Sequence, residues 1–141
     1  VHLQTGPTRF NKRELYLEAI KFDNSFAFAY TNLGTQLSPD ETVTVHLQTG
    51  PTRFNKRELY LEAIKFDNSF AFAYTNLSAM LSPEETVTVH LQTGPRRFNK
   101  KELYLEAIRL DNNYALPYAA LGLLLSPEQT MQVPLQTGPR I

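Results

Sequence analysis

The chain has 141 residues, with 14 basic and 14 acidic side chains and a formal net charge of zero. That balance leaves no basic stripe for a nucleic-acid footprint, and no apolar run approaches the length of a membrane span. The absence of cysteine excludes disulfides and thiolate metal sites and leaves the compartment open, while 42% hydrophobic and 20% charged residues fit a soluble folded protein.

Repetition organises everything else. Residues 1–33 recur letter for letter as 45–77, and a diverged copy starts at Val89, so the period is 44 residues. The first two copies differ at four positions (Gly34 and Ser78, Thr35 and Ala79, Gln36 and Met80, Asp40 and Glu84), and the third keeps 28 of the second's 44 residues. The sequence therefore divides into repeats 1–44, 45–88 and 89–132, with the start of a fourth at 133–141, as one continuous array. The ends carry no signal peptide and no atypical shielding repeat, so the chain reads as a fragment, a processed product or a piece of a longer array.

Within the first period, Asn11-Lys12-Arg13-Glu14 is an Asn-x-x-Glu capping box, repeated at Asn55 with Glu58 and at Asn99 with Glu102. It predicts a helix from Lys12, buried through Leu15, Tyr16, Ala19, Ile20 and Phe22 and wet through Lys12, Arg13, Glu14, Glu18 and Lys21. Asp23-Asn24-Ser25 then breaks and recaps the chain. A second helix is predicted from Phe26 to about Leu37; it has no charge in any copy and carries Phe26, Phe28, Tyr30, Leu33 and Leu37, so it requires cover on most sides. Ser38-Pro39-Asp40-Glu41 predicts one capped turn. Thr42 to Leu47 alternates polar and apolar residues as a strand does, and Thr49-Gly50 before Pro51-Thr52-Arg53-Phe54 predicts a hairpin return. Each period is helix, helix, hairpin, which makes the fold class mainly α with β-hairpins. In the third copy, Pro117 enters the first turn of the uncharged helix and predicts a late start or a bend.

Tyr30-x-x-Leu33-Gly34-x-x-Leu37, followed after the hairpin by Tyr60-x-x-Ala63 and Asp67-Asn68, resembles the tetratricopeptide repeat. The resemblance covers all three copies and implies a helical-repeat solenoid, in which the stretch around Leu15 to Gly34 is the second helix of one unit running into the first helix of the next. The family's unit is about 34 residues long. The extra length falls between Leu37 and Lys56, between the two helices of a unit, and suits a hairpin. Four positions depart from the family pattern: Leu37 replaces an aromatic, Lys56 a small residue, Asn24 a proline and Ser78 a glycine.

Neighbouring helices pack about 8 to 10 Å apart, and two strands at about 4.8 Å each are equally wide. The match predicts that successive hairpins join into a continuous antiparallel ribbon along the helices. Val43, Val45, Leu47 and Phe54 would face inward, with Thr42, Thr44, His46 and Arg53 outside. The ribbon would expose edge strands at Val43, Val45 and Leu47 and at Met131, Val133 and Leu135. Open edges and uncovered apolar helix faces template further pairing, and a head-to-tail contact that does not close builds a filament. Two function classes follow. One is a structural protein that assembles with itself end to end, as an extracellular fibre would. The other, implied by the resemblance, is an adaptor that binds a protein or peptide partner in a groove lined by Phe28, Thr31 and Thr35, by Phe72, Thr75 and Ala79, and by Leu116, Ala119 and Leu123. This lining is apolar or neutral, so an anionic C-terminus is not the expected ligand. Groove residues covered by another repeat or subunit would favour assembly, and an open groove would favour a ligand.

Enzyme chemistry, cofactors and metals are not expected, since no phosphate loop, nucleophile elbow or paired-His motif occurs. His2, His46 and His90 recur at the repeat period, which places them about 10 Å apart in stacked repeats, too far to share a zinc whose ligand nitrogens lie within about 4 Å of each other. Glu14, Glu18 and Asp23 read as cap, ion-pair partner and helix stop. Asn76-Leu77-Ser78 is a glycosylation sequon, present in the second copy alone.

Overall fold

The computed structural model describes residues 7–135. Its elements run in chain order as α1 (Lys12–Phe22), α2 (Ala27–Thr35), β1 (Thr42–Leu47), β2 (Gly50–Asn55), α3 (Lys56–Phe66), α4 (Ala71–Ala79), β3 (Thr86–Leu91), β4 (Gly94–Asn99), α5 (Lys100–Leu110) and α6 (Ala115–Leu124). Helices and hairpins thus alternate in the order helix, helix, hairpin.

Local chemistry sets the starts of α1, α3 and α5. Asn11, Asn55 and Asn99 each accept a bond from the amide three residues on, and their own amides donate to the carboxylates of Glu14, Glu58 and Glu102, all at 2.8 or 2.9 Å. Asn55 and Asn99 are also the last residues of β2 and β4, so strand passes into helix without a linker. At the other end, the Asp23 carboxylate accepts from the Ser25 amide at 3.0 Å and the Ser25 hydroxyl at 2.8 Å.

The uncharged helix is shorter than its apolar run suggests. α2 stops at Thr35, and Leu37 is buried from the turn beyond it, with its amide on the Gly34 carbonyl at 3.2 Å. Nor does Pro117 delay α6, which starts at Ala115, one period on from the Ala71 that starts α4. Position 117 corresponds to Ala29 and Ala73, whose amides bond only the cap carbonyls of Phe26 and Phe70, at 3.0 Å; proline forfeits that one contact.

Each hairpin is a separate two-stranded antiparallel sheet, paired from Thr42 with Asn55 to Leu47 with Gly50 and from Thr86 with Asn99 to Leu91 with Gly94. The loop residues Gln48 and Thr49 keep negative φ while Gly50, paired with Leu47, takes φ +122°, a conformation that glycine reaches without steric cost. The alternation follows the sequence: Val45 and Phe54 are buried, Val43 and Leu47 are half-buried against the core, and Thr42, His46 and Arg53 are exposed. Thr44 is half-buried.

The continuous ribbon is not formed. β1 lies on α1 and β3 on α3, while β2 runs directly into α3, so each hairpin docks on the helices that flank it instead of pairing with the next hairpin. Matching widths are not sufficient for pairing. The strand edge anticipated at Met131, Val133 and Leu135 is also absent: these residues lie in no strand, and Met131 and Val133 pack against Tyr104, Ile108 and Leu121.

One apolar core runs through the repeats, from Ile20 and Tyr30 to Leu103 and Ala107. Tyr30 and Tyr74 are its pivots. Tyr30 meets Phe54 edge-on at 6.3 Å and donates its hydroxyl to the Asn24 carbonyl at 2.5 Å; Tyr74 meets Phe98 at 6.2 Å and donates to the Asn68 carbonyl at 2.7 Å. Burial is the main cause that pushes the phenols of Tyr30 and Tyr60 up to about 12, with Glu62 and Asp23 adding to the effect at Tyr30. Because these pKa values lie above the unfolded value near 10, the folded chain holds protons that the unfolded chain releases. Their contribution is complete below about pH 10 and is lost as pH rises through about 12. Absorbance titration at 295 nm followed beside far-UV circular dichroism should show late tyrosine ionisation coinciding with loss of helix; ionisation near pH 10 with the helix intact would contradict it.

Candidate functional site

The joint between consecutive repeats is the most built surface of the molecule. α2 packs more extensively on α3, across the hairpin, than on α1. Lys56, the first residue of α3, donates Nζ to the carbonyls of Gly34 at 2.8 Å and Leu37 at 3.0 Å, closing the C-terminal end of α2, where orphan carbonyls and the helix dipole favour a cation. Lys100 does the same for α4 through Ser78 and Leu81, at 2.9 and 3.0 Å. Partial burial lowers the pKa of both amines. Each ammonium also lies 5.6 Å from the ring centre of the tyrosine four residues on, Tyr60 or Tyr104.

Gly34 fits under that ring. A Cβ placed there would come within 2.7 Å of Tyr60. At the next joint Ser78 stands in this place and gains a bond, donating its hydroxyl to the Lys100 carbonyl at 2.6 Å. Around the joints, Arg13 pairs with Glu41 at 2.7 Å and Arg57 with Glu85 at 2.8 Å. The guanidinium bonds, joined by the Ser38 and Ser82 amides, hold both carboxyls below the usual range. In the third copy both partners change together, to Lys101 and Gln129, and Gln129 keeps only the bond from the Ser126 amide, at 2.8 Å.

A second fastening holds each hairpin tip. The Asn24 side chain donates to the Ile20 carbonyl and accepts from the Gln48 amide in the hairpin loop, both at 2.7 Å. Asn68 repeats this on Ile64 and Gln92, each at 2.6 Å. Lys56 therefore fastens the start of α3 to the end of α2, while Asn24 fastens the hairpin tip to the end of α1.

The expected groove residues divide into two groups. Phe28 and Leu116 are exposed and Phe72 is half-buried; Thr35, Ala79, Ala119 and Leu123 are exposed as well. Phe26, Phe28, Phe66 and Phe70 line a cleft of about 300 Å³, repeated at Phe70, Phe72, Leu110 and Tyr114 with about 400 Å³. At the opposite ends of α2 and α4, Thr35 and Ala79 border a cleft of about 550 Å³ with Lys56, Tyr60 and Met80. Thr31 and Thr75 do not line a groove: both are buried where adjacent repeats meet.

Thr31 Oγ1 has no hydrogen-bond partner, whereas Thr75 donates to the Ala71 carbonyl at 3.2 Å and lies beside the Tyr114 hydroxyl. The residue one period before Tyr114 is Phe70. Phe70→Tyr should therefore supply the missing partner and stabilise the fold by about 0.5 to 1.5 kcal/mol, a gain that denaturant titration would detect and that Thr31→Val should abolish.

The remaining candidates are accounted for by their surroundings. His46 and His90 are exposed on strands, and among the described residues no cluster of three potential metal ligands exists; His2 lies outside those residues. Glu14 caps α1, Glu18 lies 4.0 Å from Lys21, and Asp23 ends the helix. Asn76 is half-buried within α4 with its amide on the Phe72 carbonyl at 2.8 Å, and Ser78 of the same sequon is buried. No helix among the described residues is long and apolar enough to cross a membrane.

One set of equivalent positions differs in environment. Leu59 and Leu103 are fully buried, yet the matching Leu15 is 54% exposed; Phe54 and Phe98 are 8% and 1% exposed, yet Phe10 is 43% exposed. Gly34 is filled by Tyr60, yet nothing lies within 4 Å of a Cβ built at Gly122. No protein-family model matches this chain, and no curated protein or solved structure is significantly similar to it.

Proposed function

We propose that this chain is a tetratricopeptide-like solenoid with a hairpin inserted in each unit, and that its role is structural, end-to-end assembly into a longer array or filament. The observation that carries this reading is the contrast just described. The faces that α1 and α6 leave open are built from the positions that bury each other at the two internal joints, and a head-to-tail contact of this kind repeats from copy to copy. The reading requires no ligand, cofactor or chemistry beyond apolar burial and helix-end capping.

Electron microscopy of the isolated protein in physiological salt tests it. Filaments whose helical rise equals a small number of repeats are expected; discrete short particles over the whole concentration range would overturn the proposal. A second reading, a peptide-binding adaptor, is favoured by one observation: Phe28 is 51% exposed beside a cleft that recurs at the next repeat. Short particles that acquire a bound apolar peptide in those clefts would establish that reading instead.

A further inference from the structure

Resting on the assembly reading, the geometry points to a specific register between copies: we infer that the α1 face of one copy seats on the α6 face of another with Tyr16 over Gly122. The internal joints supply the template. There the tyrosine at the fifth helical position, Tyr60, covers Gly34 so closely that a methyl group would not fit, while Lys56 bonds the carbonyls of Gly34 and Leu37. Every element of that lock recurs at the two open faces. Lys12, Leu15 and Tyr16 occupy the places of Lys56, Leu59 and Tyr60; Leu121, Gly122 and Leu125 occupy those of Leu33, Gly34 and Leu37.

The open state of each half is visible in its surroundings. Tyr16 is half-buried where Tyr60 is 1% exposed, and Gly122 is exposed where Gly34 is buried. Because α6 ends in carbonyls at the negative end of its dipole, Lys12 of the second copy brings the charge that this end favours. The Gly122 carbonyl accepts from the Leu125 amide at 3.3 Å, and the Gly34 carbonyl makes the same bond, to Leu37, at 3.2 Å while also holding Lys56, so the acceptor has room for both. The register is polar: it joins opposite faces, so each added copy presents the same pair of faces as the last.

Gly122→Leu separates this contact from the fold, since a Cβ at that position meets nothing within 4 Å. Sedimentation velocity across a range of concentrations, with circular dichroism and thermal melting as controls for folding, should show association weakened at least tenfold by Gly122→Leu and by Tyr16→Ala. Gly122→Ser should assemble normally, because Ser78 is accommodated at the internal joint. Assembly of wild type and Gly122→Leu alike would overturn this register and leave end-to-end assembly standing. A wild-type chain that stays single at every concentration would overturn the assembly reading and this contact with it.

Discussion

Tyr74→Ala should lower the stability of the fold by about 3 to 5 kcal/mol, the range found when a large buried ring is truncated. The ring is fully buried, sits edge-on to Phe98 at 6.2 Å and spans the joint between the second and third repeats. Its loss removes apolar burial on both sides and leaves a cavity that α4 and α5, held by the Lys100 bonds, cannot close by a small shift. Tyr74→Phe isolates the hydroxyl. It deletes only the 2.7 Å bond to the Asn68 carbonyl and should cost about 1 kcal/mol. Chemical denaturation of both variants decides the matter: equal losses would mean that the hydroxyl, not the ring, fastens the joint.

The second large effect belongs to Asn68, whose carboxamide donates to the end of α3 and accepts from the hairpin loop. Asn68→Ala removes both bonds and leaves the Ile64 carbonyl and the Gln92 amide without this partner. The expected cost is about 1 to 3 kcal/mol, with the hairpin of β3 and β4 opening before the helices do. Hydrogen exchange should locate the loss of protection first at Gln92 and its neighbours. Uniform loss across the chain would show that the hairpin is not separately fastened. Asn24→Ala offers an internal replicate, since Asn24 makes the same pair of bonds to Ile20 and Gln48.

How far the sequence carries depends on the range of the interaction. The capping boxes at Asn11, Asn55 and Asn99 are closed within four residues, so the helix starts were legible. The pairing of Thr42 with Asn55 was legible too, from alternation and the glycine that takes positive φ at position 50. The end of α2 was not: Leu37 belongs to the apolar run but is buried from a turn, and burial by a turn leaves the same pattern as burial by a helix. The ribbon failed for a longer-range reason, because the docking of β1 on α1 and the direct passage of β2 into α3 set where each hairpin lies.

The candidate site shows the same division. Of the groove positions, Phe28 and Leu116 are exposed and Phe72 borders a cleft, whereas Thr31 and Thr75 are buried. Missed altogether were the fastening roles of Lys56 and Asn24. Both act between residues about 20 positions apart, Lys56 on the carbonyls of Gly34 and Leu37 and Asn24 on the Gln48 amide, and a pattern of neighbouring residues carries no sign of such contacts.

The shared residue at Asn55 has a mechanical consequence. As the last residue of a strand and the cap of a helix, it leaves no slack between hairpin and helix, so bending there requires breaking the cap bonds. Compliance within a period is left to the breaks at Asp23-Asn24-Ser25 and Ser38 to Glu41, each bridged by its own side chains. A period is thereby held most firmly where hairpin meets helix, and its turns are the places left to bend.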